Sequence, residues 1–353
     1  MSIEITGVGS CIPEKVVKNS DFLNHEFLNQ DGTPIKGEND VIIRKFKAIT
    51  GIDERRYVED NLTASDLAGI AAQNAIKDAG IDKETIDYII VAQNFGDVKH
   101  KNTQSDAVPS LASRVKHILQ IKNPSCVGYD LVFGCPGWLE GVIHAKAFIK
   151  AGMAKKCLVI GTETLSRVVD AHDRDSMIFS DGAGATIIED TGRDNAGIIG
   201  NKSATYANDE AYYLAFEASY NQELQRETRY IKMNGRMIYN FALTYVPQAM
   251  KSCLEESGID IKDLKKIFIH QANEKMDQAI CERFYKLYDL EMPEYVMPMS
   301  IAELGNSSVA TLPTLLDLVK RKQIENQEIK KGDVVLFASV GAGMNINALT
   351  YKI

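Results

Sequence analysis

Two stretches of this chain repeat one another. Residues 79–93 read AGIDKETIDYIIVAQ and residues 257–271 read SGIDIKDLKKIFIHQ. They align without a gap at an offset of 178, close to half of the 353 residues. In both, a helical stretch (66–79 and 239–257) enters a Gly-Ile-Asp turn, and a short apolar strand follows (88–92 and 267–270). A weaker echo follows in the same order: KKCLVIGTE and SDGAGATII in the first half, KKGDVVLFASVGAGMNI near the end. Two matches in one order indicate a duplicated α/β unit.

The remaining pattern agrees. IDYIIVAQ, CVGYDLVFG, KCLVIGT, ATIIED, KIFIHQ and DVVLFAS are apolar, β-branched runs, several of them separated by helical patterns. Such strands imply sheets covered on both faces and largely parallel. Segments 24–44 and 191–212 read as loops, and no clean linker separates the halves. The expected organisation is an N-terminal half, 1–190, and a C-terminal half, 191–353, sharing one compact body.

Composition removes several function classes. The net charge is −8 and the pI near 5.4, so nucleic acid is not an expected partner. No apolar run reaches the roughly 18 residues of a membrane span. The opening MSIEITGVGS lacks the charged and apolar regions of a secretory signal. The six cysteines are scattered, with no CxxC pair. A cytoplasmic protein with mostly free thiols is the expectation, and no metal or cofactor is called for.

One cysteine stands at a hinge. In DLVFGCPGWLEG (130–141), an apolar run ends at Gly134 and Cys135, and a helical pattern begins behind Pro136. Trp138, Leu139, Val142, Ile143, Phe148 and Ile149 follow helical spacing, and Gly152 is placed to end the helix. Pro136 suits the first helical position. Cys135 is thus expected near the positive end of the helix, which favours thiolate and lowers the thiol pKa. Its own amide and its neighbours' would be available to an oxyanion. Buried cysteines are usually inert, so partners decide.

His270 ends the strand KIFIH, where the first repeat has Ala92. The C-terminal end of a strand is where α/β sheets place ligands. Asn306 lies in LGNSSVATLP, a turn before a helical pattern; in isolation it reads better as a cap or turn residue. SVGAGMN (339–345) is a Gly-rich turn suited to close approach of a substrate, or simply a tight turn, and it matches no phosphate loop.

Taken together, DLVFGCPGW, AVPSLASRVKHILQI, DAHDRDSMIFSDGAGATII, FIHQAN, LGNSSVATLP and SVGAGMNINAL resemble the β-ketoacyl-acyl carrier protein synthase III family of the thiolase superfamily. The resemblance runs nearly the whole chain. It implies a duplicated thiolase-like α/β fold in α-β-α-β-α layers, and a homodimer. It also implies a Cys135-His270-Asn306 site. Cys135 would take an acyl group from a thioester borne by coenzyme A or a carrier protein. His270 and Asn306 would bind the carbonyl of a malonyl thioester on acyl carrier protein and stabilise its enolate. The amides of Cys135 and Ala342 would form a second oxyanion hole.

The chain departs from the family in places. Where members that use coenzyme A have a Trp and an Arg clamping adenine, RKFKAITGI offers Lys45 and Ile49. Arg174 does match a coenzyme A contact. Val108 stands where many members have a bulkier residue that closes the acyl pocket from the dimer mate, which points to a longer or bulkier primer. Pro-Gly-Trp follows Cys135 instead of the usual small-Gly-Phe. A secondary-metabolite ketosynthase therefore stands beside fatty acid initiation. Lys275, Arg283 and the stretch Arg226–Arg236 are candidates for a basic rim that meets an acidic carrier, or are solvated charges.

Other readings fit less well. A papain-like cysteine protease shares the Cys-His-Asn set, but its Cys lies near the N-terminus and its motif has a second Cys. A degradative thiolase needs a cysteine near the C-terminus, and none follows Cys281. A hydroxymethylglutaryl-type synthase needs an added acid, which the sequence leaves open. A non-catalytic partner subunit of a ketosynthase heterodimer would usually have lost the nucleophile.

Overall fold

The structure is a computed structural model that describes residues 2–193, 196–224 and 227–353. Two main sheets run through it. The first has the spatial order Ile3–Cys11, Asp181–Asp190, Lys156–Thr164, Tyr88–Ala92, Val127–Leu131. The second has Gly197–Thr205, Asn345–Lys352, Val334–Gly341, Leu264–Ile269. The duplication appears in the register. Ile89 pairs with Leu158 in the first sheet, and Ile267 with Leu336 in the second. Both members are displaced by the same 178 residues. Where the first sheet adds Val127–Leu131, the second has no paired strand among the described residues, and the Val296 carbonyl accepts from the Ile267 amide at 2.8 Å.

The sheets are mixed, not largely parallel. Tyr88–Ala92 and Leu264–Ile269 run parallel to their neighbours, but the last strand of each half folds back antiparallel and pairs antiparallel with the first. The connections explain this. Parallel neighbours need a helical crossover, whereas the connection 165–180 holds two short 3₁₀ turns, Leu165–Arg167 and Arg174–Ile178, and 342–344 is a tight turn. Two expected loops also contain regular structure. Helix Asn39–Thr50 begins inside 24–44 and buries Ile42, Ile43 and Phe46. Strand Gly197–Thr205 lies inside 191–212; as an edge strand packed on one face it has few apolar residues to betray it.

Three apolar clusters define the layers. Helix Ala64–Ala79 packs with Ile89, Val91, Leu158 and Ile160 on the outer face of the first sheet. Met250 and Leu254, from helix Gly235–Glu256, and Ile280 and Phe284, from helix Glu274–Lys286, cover the outer face of the second. Between the sheets lie helices Gly137–Lys150 and Thr311–Lys320, whose side chains meet Ile90 and Val159 on one side and Phe268 and Phe337 on the other. A helix sandwiched this way is apolar around most of its surface. Trp138, 1% exposed, joins the layers: its ring meets Phe337 edge-on and its Nε1 donates to the Thr186 hydroxyl at 3.2 Å. The middle layer therefore carries Cys135 to the ends of both sheets. No described helix is long and apolar enough to cross a membrane.

Candidate active site

The first functional side chain sits on a turn built for close approach. Strand Val127–Leu131 ends, Gly134 adopts φ +68°, and Pro136 takes helical geometry just before helix Gly137–Lys150. The proline is thus one residue outside the helix, and Cys135 precedes it. The terminal loop lies directly against this turn. A methyl on Gly134 would stand 2.7 Å from the Ala342 amide nitrogen, and one on Gly341 2.8 Å from Pro136 Cδ and 2.9 Å from Cys135 Cβ. Only glycines allow the two segments to touch. Asn345 Nδ2 ties them further, donating to the carbonyls of Ala342 at 2.8 Å and Phe133 at 3.4 Å. The Cys135 and Ala342 amides therefore flank one small region beside the thiol.

The thiol itself differs from expectation. Burial pushes the Cys135 pKa up to about 11, against the lowering expected from the helix end. Removal of water costs the thiolate more than the Ser308 hydroxyl and the Cys135 amide return.

His270 follows strand Leu264–Ile269, and its amide donates to the Ala338 carbonyl at 2.9 Å, one more step of the ladder. Only 4% of it is exposed. Burial pulls its pKa down to about 4, so the ring is neutral at pH 7. Its Nδ1 is enclosed and finds no partner among the described residues, so the ring meets the cavity by its other edge. Gln271 links this strand to the segment that leads to Asn306. Its Nε2 donates to the Pro298 carbonyl at 2.9 Å, and its Oε1 accepts from the Ser300 amide at 2.9 Å.

From Ser300 the chain makes one short helical turn, Ile301–Leu304, and Gly305 at φ +62° brings Asn306 into the site. The Asn306 backbone is clamped on both sides: its amide donates to the Ile178 carbonyl and its carbonyl accepts from the Ser180 amide. Its Oδ1 accepts from the Ser308 amide at 2.8 Å. The oxygen is thereby held, and the Nδ2 donor is left to face the cavity that Asn306 lines.

Cys135, His270 and Asn306 line one cavity of about 230 Å³, whose apolar walls include Phe95, Phe179, Leu214, Phe216 and Ile231. Phe95 and Phe216 stack at 4.7 Å. An outer cavity of about 520 Å³ shares Met233, Ile238, Ala272, Met276 and Asn306 with it and opens beside Lys45, Ile49, Arg174 and Arg236. Lys45 and Ile49, two of the departures noted in sequence, therefore line this outer cavity.

Of the outlying candidates, Arg174 and Arg236 line this outer cavity, and Lys275, Arg283, Lys232 and Val108 do not. Arg174 lies at the mouth, its guanidinium donating to Asp175 at 2.8 Å. Lys275 is exposed on the first turn of helix Glu274–Lys286. Arg283 is exposed and donates to the Leu243 carbonyl. Arg226 lies outside the described residues. Lys232, from the same basic stretch, is no rim residue: it is buried between Asp170 at 2.6 Å and Asp173 at 3.1 Å. Val108 is 86% exposed and lines neither cavity.

Residues that sequence reasoning missed complete the site. Asn94, just past strand Tyr88–Ala92, donates through Nδ2 to Glu163 Oε1 at 2.6 Å and accepts from the Gly134 amide at 3.0 Å. The Ser308 hydroxyl donates to Cys135 Sγ at 3.3 Å. Glu163 is 1% exposed, and burial lifts its pKa to about 8. One signal was available: a carboxyl near the end of the otherwise apolar run CLVIGTET.

Comparison with known proteins places the chain in a family. Residues 129–207 match the family model described as 3-oxoacyl-[acyl-carrier-protein (ACP)] synthase III, and residues 254–353 match its C-terminal model. The β-ketoacyl-[acyl-carrier-protein] synthase III of Clostridium acetobutylicum is 33% identical, covering 99% of this chain and 98% of its own. That of Bacillus anthracis, named synthase III 1, is 30% identical and covers 100% and 99%. Among solved structures, the β-ketoacyl-[acyl carrier protein] synthase III of Thermus thermophilus superposes with a TM-score of 0.82 at 27% identity, covering 99% of each chain.

Proposed function

This chain belongs to the 3-oxoacyl-[acyl-carrier-protein] synthase III family, a condensing acyltransferase of thiolase-like fold, and on that premise we propose how its own residues perform the condensation. Cys135 Sγ attacks the carbonyl of an acyl thioester. The donor thiol leaves with the proton that Cys135 loses, and the acyl group stays on sulfur. A malonyl thioester on acyl carrier protein then enters. Its carbonyl oxygen accepts hydrogen bonds from His270 and Asn306. The bond to the carboxylate breaks, carbon dioxide leaves, and the electron pair becomes an enolate. The enolate carbon attacks the acyl carbonyl, whose oxygen gathers charge against the Cys135 and Ala342 amides. The C–S bond breaks, the Cys135 sulfur takes up one proton from solvent, and a β-ketoacyl thioester departs.

The observation that carries this reading is the pairing of two neutral donors at one wall. A depressed pKa keeps His270 uncharged, and the Ser308 amide holds Asn306 with its Nδ2 outward. Neutral donors fixed where charge will develop stabilise the enolate more than the ground-state carbonyl. The apolar walls suit an acyl primer. Arg174 and Lys275 would meet the thioester's carrier at the mouth. The missing adenine clamp, with Lys45 and Ile49 in its place, favours a primer delivered by a carrier protein. We further propose a homodimer, with Val108 reaching the partner's acyl pocket, halves dividing at residue 190, and a cytoplasmic setting for the free cysteines.

Intact-protein mass spectrometry tests the central step. The chain is incubated with panels of acyl-coenzyme A and acyl-carrier-protein thioesters beside Cys135→Ala. A mass gain that the variant lacks is expected, and the best donor names the primer. No adduct with any donor overturns the reading.

A further inference from the structure

One carboxyl in the site has no part in the steps above. Glu163 is buried near the end of strand Lys156–Thr164, and it forms no salt bridge among the described residues. Three polar elements face it. Asn94 approaches from beyond strand Tyr88–Ala92, Asp181 from the start of strand Asp181–Asp190, and Cys135 from the start of its helix. Asp181 is itself occupied by the Ser166 and Val58 amides and is opposed by Arg167.

The geometry gives Glu163 indirect control of the nucleophile. Its Oε1 accepts from Asn94 Nδ2 at 2.6 Å. That bond fixes which end of the Asn94 amide points where. Oδ1 is then the end that accepts from the Gly134 amide at 3.0 Å, and Nδ2 also reaches the Ser308 hydroxyl at 3.4 Å. Ser308 in turn donates to Cys135 Sγ. The turn that bears the thiol and the hydroxyl that touches it thus depend on one side-chain amide.

Resting on the assignment of Cys135 as nucleophile, we propose that Glu163 is a positioning residue: it orients Asn94, and Asn94 sets the Gly134–Cys135 turn and the Ser308 hydroxyl for attack. Burial without a cation keeps the Glu163 carboxyl neutral at pH 7. Once ionised, it places a negative charge beside the forming thiolate and opposes it.

Alkylation of Cys135 by iodoacetamide tests this without any acyl donor. Rates are followed by peptide mass spectrometry for wild type, Glu163→Ala, Glu163→Gln and Asn94→Ala. Loss of orientation in Glu163→Ala and Asn94→Ala should slow alkylation at neutral pH by about 10-fold or more. Gln keeps an oxygen that accepts from Asn94, so Glu163→Gln should recover to within about 3-fold of wild type. At pH values above the Glu163 pKa of about 8, this variant should become faster than wild type, whose carboxylate then holds the thiol protonated. A wild-type rate in Glu163→Ala, a Gln variant as slow as Ala, or superimposable wild-type and Gln pH profiles overturns the proposal. If Glu163→Ala does not fold, Asn94→Ala and the Gln profile decide. Normal alkylation with no acylation by any thioester counts against the proposed function and leaves this inference standing.

Discussion

The Ser308 amide donates to Asn306 Oδ1 at 2.8 Å, and this one bond decides which end of the Asn306 side chain faces the cavity. Asn306→Asp preserves it, since a carboxylate oxygen accepts equally well. The group facing the cavity, however, changes from a donor to a negatively charged oxygen. Acylation of Cys135 should continue, while decarboxylative condensation should fall by about 100-fold or more, the cost of removing one oxyanion donor. Single-turnover assays that separate acyl-enzyme formation from β-ketoacyl product distinguish the steps. Condensation at the wild-type rate in this variant would remove Asn306 from enolate binding.

His270 makes a prediction through pH. Its pKa is held down to about 4 in the folded chain, against 6.5 when solvated. Between these values the unfolded chain takes up a proton that the native ring refuses. This group therefore leaves stability unchanged above about pH 6.5 and lowers it as pH falls toward 4, by at most about 3 kcal/mol. His270→Gln should show a shallower loss of Tm from about pH 7 to 5 than wild type. In His270→Ala, acylation should persist while condensation drops. Equal pH slopes would mean that the native ring is not excluded from protonation.

How much of this was legible follows from where each residue's information lies. The repeat foretold a duplicated α/β unit, and the structure carries the same 178-residue offset into the pairing of Ile89 with Leu158 and of Ile267 with Leu336, because duplicated strands keep their apolar spacing. His270 was legible as a polar residue where its repeat has Ala92. Asn306 was ambiguous, since an asparagine in a turn usually caps; only the distant bonds to Ile178 and Ser180 place it. Strand direction was not legible, because antiparallel return depends on the absence of a crossover helix and not on strand composition. The thiol pKa was misjudged because a helix start is visible in sequence and the depth of burial around Cys135 is not.

Gly341 should prove intolerant of a side chain for reasons unrelated to its own conformation. A methyl there would press on Pro136 Cδ at 2.8 Å and Cys135 Cβ at 2.9 Å, neither of which belongs to a flexible side-chain end. Gly341→Ala must push the nucleophile turn away from the Ala342 amide. Acylation measured by the mass-gain assay should slow by about 100-fold, as expected of a displacement near 1 Å, with a smaller loss of stability. An unaffected acylation rate would mean that the two segments need not touch.

Trp138 carries a stability prediction. It spans from Thr186 in the first sheet to Phe337 in the second and is 1% exposed. Trp138→Ala should cost roughly 3–5 kcal/mol through lost burial and the cavity left behind. Trp138→Phe fills most of the space and leaves the Thr186 hydroxyl without its donor, so it should cost less. Denaturant midpoints for the two variants check the order. Equal costs would place the stabilisation in the indole N–H and not in packing.

Val108 tests the dimer and the primer together. An apolar side chain 86% exposed in the single chain, outside its own cavity, is placed to be covered by something else. If a second copy covers it and its tip enters the partner's acyl pocket, Val108→Phe removes space at the pocket's closed end. The longest primer accepted should then shorten, with little change for short donors, since an added ring displaces several methylenes of chain. The donor panel, read by mass gain on Cys135 and accompanied by sedimentation analysis, checks both halves. An unchanged chain-length profile in an intact dimer would remove Val108 from the pocket. A monomer would remove the partner.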